Sequence, residues 1–330
     1  NSDWGKVAIG FNYRAVNNFE NTWTADGNSG YPTWIEDPND SNILYLQSDG
    51  QYFSNFTDGF NRKYTFSVAS QYNNNLFVGA AINTYDIEFF QRILLEEYNY
   101  NESGDVLEAS LIQELLTFGD GVSFNIGLIS MPNENLRIGL SYQSPVWYQL
   151  AEDYLDYDLE LYVSNTNEII SDISDMNYYD YKLRAPSKLT GSLGYIFEGQ
   201  GLISLDYGIK NYGNLQLSQG DFTQENQEFA ESMKRAGELR IGTEWLFSNV
   251  SLRGGYHWEE NPYKDALDTD HLEGYSFGAG LKFKGVKVDF AYQKYNNTAP
   301  YNFYPQYAEV DAAELDFDNS RYTLSVILNI

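Results

Sequence analysis

His257 and His271 are the only histidines, fourteen residues apart, and cysteine is absent. Zinc sites need Cys or His at short, regular spacing, and neither a P-loop nor a Rossmann glycine pattern is present. A hydrolase needs a nucleophile, a base and a group that orients the base. Ser251 shares the predicted face of His257, but six residues along a strand is ~20 Å, so the two cannot touch. Asp265, Asp268 and Asp270 offer oxygen ligands at roughly calcium-loop density without the full loop signature. The chain therefore carries no expected catalytic residue, no cofactor and no metal centre. What remains is a set of cations that alternate with apolar residues: Arg137, Lys188, Lys210, Arg240 and Arg253. Facing an interior, such groups could hold the head of a carboxylate-bearing lipid while an apolar slot takes the tail. They could equally be tied up in structural ion pairs.

The elements that place these residues read as strands. Val7, Ile9, Phe11 and Tyr13 fall on one face of the first segment, with Ala8, Gly10, Asn12 and Arg14 on the other. The same alternation recurs in Leu136, Ile138, Leu140 and Tyr142, in Leu239, Ile241, Thr243 and Trp245, and in Tyr322, Leu324, Val326 and Leu328. About twelve such segments are joined at one end by compact turns rich in Asn and Gly, such as Asn73-Asn74-Asn75 and Lys284-Gly285. Opposite the apolar rows lie Glu238, Arg240, Glu244, Arg253, His257 and Glu259, which read as a ladder of charge pairs inside a barrel.

Six long stretches, roughly 20–61, 88–105, 149–180, 213–234, 259–273 and 296–318, alternate with the short turns. Short turns on one rim and long loops on the other are the pattern of an outer-membrane barrel. No apolar run approaches the ~20 residues of a spanning helix. Mean hydropathy is −0.48 although 42% of residues are apolar, as expected where only every second strand residue meets lipid. Aromatic residues reach 17%, enough for girdles at both membrane interfaces. A net charge of −27 argues against nucleic acid as a partner. The acid is concentrated in the long stretches, either as solvated, repulsive surface or as a cation-bridged contact with lipopolysaccharide and other anionic lipid. Trp23, Trp34, Tyr45, Phe53, Phe56 and Phe60 could line an outer capture groove, or simply pack the first long stretch. The piece from Gln219 to Arg235 could hold a short helix.

The hairpin Gly121–Leu128 and Pro132–Pro145, and the run Leu183-Arg184-Ala185-Pro186-Ser187-Lys188-Leu189-Thr190-Gly191-Ser192-Leu193-Gly194-Tyr195, resemble strands of the FadL/TodX outer-membrane transporters of hydrophobic compounds. The order that follows, Ile203–Tyr207, Glu238–Trp245 and Ser251–Tyr256, matches as well. The resemblance spans Trp4 to Ile330. It implies fourteen strands around an N-terminal plug, and passive passage of fatty acids or other apolar molecules from outer loops to lumen to a lateral opening in the third strand. The segment from Trp4 to Tyr13 resembles that third strand, so the plug and first two strands are expected to be absent here, with Gly10 and Asn12 as candidates for the lateral opening.

The expectation is a single all-β domain over 1–330: a transmembrane antiparallel β-barrel in the outer membrane of a Gram-negative bacterium, passing a hydrophobic small molecule. One rival is a structural or docking barrel whose loops grip other envelope proteins. A second is a secreted, water-soluble β-sandwich.

Overall fold

The structure is a computed structural model that describes residues 4–267, 269–301, 303 and 313–328. The strands are β1 (Trp4–Asn18), β2 (Asn21–Gly27), β3 (Gln47–Tyr72), β4 (Leu76–Tyr100), β5 (Val106–Ser130), β6 (Leu136–Gln143), β7 (Trp147–Val163), β8 (Glu168–Ile173) and β9 (Met176–Arg184). They continue as β10 (Lys188–Phe197), β11 (Gly201–Asn211), β12 (Gln216–Ser218), β13 (Arg235–Phe247), β14 (Val250–Glu259), β15 (Leu272–Phe283), β16 (Val286–Tyr301) and β17 (Ala313–Leu328). The one α-helix among the described residues, α1 (Thr223–Ser232), falls inside the stretch expected to hold one. All seventeen strands belong to one antiparallel sheet.

Twelve of them form the wall, paired in the order β1, β3, β4, β5, β6, β10, β11, β13, β14, β15, β16, β17. Successive wall strands run in opposite senses, so the five compact turns near residues 74, 133, 199, 248 and 285 all fall on one rim. Two of these turns show why Asn and Gly sit there: Asn73 and Asn74 have φ of 46° and 60°, and Gly285 has φ of 80°. The left-handed region costs other residues ~1–2 kcal/mol each. Among the described residues no pairing joins β1 to β17, so each keeps one unpaired edge.

The outward rows are the expected apolar ones. Ile9, Phe11 and Leu324 are 72%, 73% and 70% exposed, and they belong to a continuous surface of Val, Leu, Ile, Phe and Tyr. No water-soluble domain leaves such an area uncovered. Aromatic pairs mark both borders of this band. Trp4 meets Tyr72 and Phe197 stacks on Trp245 near the short turns, and Tyr13 meets Tyr64 toward the other rim. Trp4 and Tyr13 lie nine residues apart, ~30 Å along a strand, which tilt reduces to about the 25 Å apolar height of an outer-membrane barrel.

The first third of the wall is longer than a membrane crossing requires. β3, β4 and β5 run for 26, 25 and 25 residues, ~80 Å each, where a spanning strand needs about 9–11. The stretches 20–61, 88–105 and 149–180 are therefore mostly sheet that continues past the membrane. β2 pairs with β3 above the end of β1, and β7 pairs with β5 above the end of β6, with β8 and β9 added at its far edge. The extension has its own buried clusters, Tyr45 with Leu107 and Val163, and Phe53 with Leu95. Little of the membrane band is buried in this sense, since its apolar side chains face outward.

Candidate functional site

Residues with odd numbers point inward along β4 and, from Gln51 onward, along β3, so one inner column connects the extension to the barrel. At its outer end Trp23 stacks on Phe53 with centroids 5.1 Å apart, and Tyr301 and Phe303 meet both rings edge-on or tilted at 4.8–5.9 Å. Beside them lies a cavity of about 250 Å³ lined by Ala25, Gly27, Gln51, Phe53, Leu95 and Phe303. Of the six aromatic residues singled out in the sequence, Trp23, Trp34 and Phe53 join this cluster. Tyr45 is fully buried beneath the extension instead. Phe56 pairs with Phe90 on the opposite face of β3 and β4, and Phe60 lies under the guanidinium of Arg62.

Below the aromatic cluster the column narrows to a polar neck. Tyr85 and Tyr148 meet edge to face at 5.7 Å, with Gly121 beneath them: a Cβ there would lie 2.5 Å from the Tyr148 ring. Asn83 is buried and fully bonded, accepting from Thr65 at 2.8 Å and donating to Ser123 at 3.0 Å and Asn125 at 2.9 Å. Ile87 packs on the outer side of this ring pair. Past the neck, small inner residues (Ala69, Gly79, Ala81, Gly127, Ser141 and Ser192) line a mostly apolar cavity of about 470 Å³.

The five cations expected in the lumen divide three ways. Lys188, Lys210 and Arg240 converge on the buried carboxylate of Glu238. Lys210 also reaches Glu259 at 2.8 Å, and His257 Nε2 stands 3.8 Å from Glu238 and 3.9 Å from Glu259. Arg253 spans two acids, Glu244 at 2.9 Å and Asp289 at 2.6 Å. Arg137 stays at the inner rim, donating to the carbonyls of Asn133 and Leu136. The ladder foreseen for Arg240, Arg253 and their acids is present, except that Glu259 takes Lys210 as its partner. Glu238, His257 and Glu259 approach closely enough to hold a metal ion. Three cations already compensate that carboxylate, however, which disfavours a further positive charge there.

Two cavities open from this cluster. One of about 290 Å³ is polar and lined by Gln143, Lys188, Asp206, Glu238 and Arg240. The other, about 600 Å³, is lined by Arg14, Arg240, Arg253 and Arg321 together with Glu244, His257, Ser276 and Gln293. Four guanidinium groups thus face one carboxylate across that space. Neither Arg14 nor Arg321 has an ion-pair partner among the described residues. Sequence reasoning placed Arg14 on the inner face but did not count it as a binding residue, and it missed Arg321. The signal was available, since Arg321 precedes outward Tyr322 and therefore points inward.

Gly10 and Asn12 face inward on β1, opposite Ser67 and Thr65, in an unbroken ladder from Val7 to Ala15. α1 lies at the outer rim, where Phe222 at its start meets Tyr181 and Asn226 bonds both backbone groups of Leu217. Of the three spaced aspartates, Asp268 lies outside the described residues.

No protein-family model matches the chain, and no curated protein sequence matches it. Solved structures do. The Pseudomonas putida toluene transporter TodX superimposes with a TM-score of 0.50 at 12% identity, covering 100% of this chain and 80% of that one. A Pseudomonas aeruginosa FadL homologue gives a TM-score of 0.54 at 14% identity, covering 99% and 88%. At these identities the likeness is one of fold. The chain has the architecture of a FadL/TodX outer-membrane barrel, and the sandwich alternative is excluded.

Proposed function

We propose that this chain is a passive outer-membrane channel for an amphipathic apolar molecule with an anionic head, of which a long-chain fatty acid is the type. The observation that carries this reading is the pair of guanidinium groups, Arg14 and Arg321, left without ion-pair partners in the 600 Å³ lumenal cavity. A bare hydrocarbon such as toluene has no use for them, whereas a carboxylate gains charge-assisted hydrogen bonds from a paired guanidinium. The aromatic pocket at Trp23, Phe53 and Phe303 takes the molecule first, by apolar burial alone. The inner column of β4 leads it past Tyr85 to the arginines, and no energy source is required.

Exit follows the seam. Among the described residues β1 and β17 each keep one edge without a partner strand, and exit is assigned to that edge of the wall. Gly10 and Asn12 lie on β1 beside that seam and form the lateral opening.

The test compares a fatty acid with its methyl ester for binding to the detergent-solubilised protein. Replacing Arg14 and Arg321 together by alanine weakens the acid by about tenfold or more while leaving the ester unchanged, since one charge-assisted hydrogen bond contributes ~1.5–3 kcal/mol. Equal effects on both ligands, or none on either, would refute the assignment.

A further inference from the structure

Well outside the membrane, the connection from β2 to β3 crosses the inner face of β4, and three buried oxygens there lack hydrogen-bond partners. Glu97 is 0% exposed. Its Oε1 accepts from the backbone N–H of Thr33 at 2.6 Å, from that of Trp34 at 3.2 Å and from Asn99 Nδ2 at 2.5 Å. Its Oε2 accepts nothing. Asn99 is 0% exposed as well, and its Nδ2 also donates to the Trp34 carbonyl at 2.9 Å. Both of those contacts are to acceptors, so turning the amide over would set oxygen against oxygen, and Asn99 Oδ1 is fixed pointing the other way. It too lacks a partner, as does the buried Thr33 Oγ1.

The three atoms sit on Glu97 and on two of the residues that donate to its Oε1, so they belong to one local cluster. None of the ion pairs among the described residues involves Glu97. A buried carboxylate without a countercharge is strongly disfavoured, and so is each orphaned oxygen. One carboxylate, one amide and one hydroxyl oxygen, with no nitrogen or sulfur, form a donor set for a hard cation. We propose that Glu97, Asn99 and Thr33 bind a calcium ion. A single carboxylate places its affinity at the weak end, with a dissociation constant of roughly 10⁻⁴–10⁻³ M, typical of extracellular modules. The ion fastens the Thr33–Trp34 segment to β4. Trp34 packs against both buried clusters of the extension, so calcium holds the roof of the aromatic pocket in place. This assignment stands independently of what the channel carries.

Terbium serves as the probe, because Trp34 lies against the same carboxylate and can sensitise its emission. The full chain in detergent, stripped with a chelator, is titrated with terbium and then with calcium. The wild type shows tryptophan-sensitised emission that calcium displaces, and Glu97→Gln loses that component while keeping the background of the exposed acidic surface. A second variant, Thr33→Asp, supplies another carboxylate at the free hydroxyl position. It tightens calcium binding by about tenfold and raises the thermal midpoint in calcium, since affinity follows the charge of the donor set. Identical calcium-displaceable emission from wild type and Glu97→Gln would overturn the proposal. So would a Thr33→Asp protein that is destabilised to the same extent with and without calcium.

Discussion

At the residue scale the lumenal charges work as a unit around Glu238, which is 4% exposed and touched by Lys188, Lys210 and Arg240. Removing its charge leaves three neighbouring cations without compensation. Glu238→Gln is expected to destabilise the barrel by about 2–3 kcal/mol, below the full penalty for a buried pair because Arg240 is half exposed to the lumen. Urea unfolding in detergent micelles measures this, and an unchanged midpoint would mean that the lumen solvates all four charges. This part of the site was legible in the sequence, because inward parity alone puts Glu238, Arg240, Arg253 and His257 in one lumen. Parity could not say which charges stay unpaired. Glu259 turned to Lys210 because β11 and β14 flank β13 on either side, and Arg14 and Arg321 line one cavity only because the wall curls its two ends together.

At the element scale, the long strands of the first third depend on backbone positions that few residues tolerate. Gly59 has φ of 116°, and a Cβ there would run into the carbonyl of Glu88 on β4. Gly59→Ala should cost ~2 kcal/mol and loosen the extension ahead of the barrel, seen as faster hydrogen exchange in β2 and upper β3 with the membrane band unaffected. The extension also carries a titratable lock. Burial, and then the hydrogen bond to Asp37, push the Tyr45 phenol from its ordinary 10.0 up to about 12. The folded form holds that proton more tightly than the unfolded form. The resulting stability is complete below pH 10 and is lost as pH rises through about 12. Exchange around Leu107 and Val163 should therefore accelerate across that window, and Tyr45→Phe should remove the step. These strands hid from sequence reasoning for a physical reason. Above the membrane, β4 mixes Phe90, Arg92, Leu94 and Glu96 on its outer face with Ile93, Leu95, Glu97 and Asn99 on its inner one, so neither face reads as apolar. Without lipid to enforce it, the two-residue contrast fades and acidic composition imitates a loop.

At the scale of the whole molecule, the wall separates lipid from lumen, and the sign of a substitution should depend on the face it occupies. Phe277→Arg, in the outward band, is expected to cost ~2–4 kcal/mol when the protein is folded into bilayers. Ser276→Arg, one residue away and facing the lumenal cavity, should cost far less and alter ligand preference instead. The most direct test of the account uses a fatty acid carrying a photoactivatable group near the end of its tail, cross-linked to the reconstituted protein and mapped by peptide mass spectrometry. Adducts on the inner column, at Phe53, Leu95, Ile87 and the walls of the arginine cavity, are predicted, and an excess of unlabelled fatty acid should suppress them. Labelling confined to lipid-facing residues such as Phe277 and Leu324, unaffected by that competitor, would contradict it.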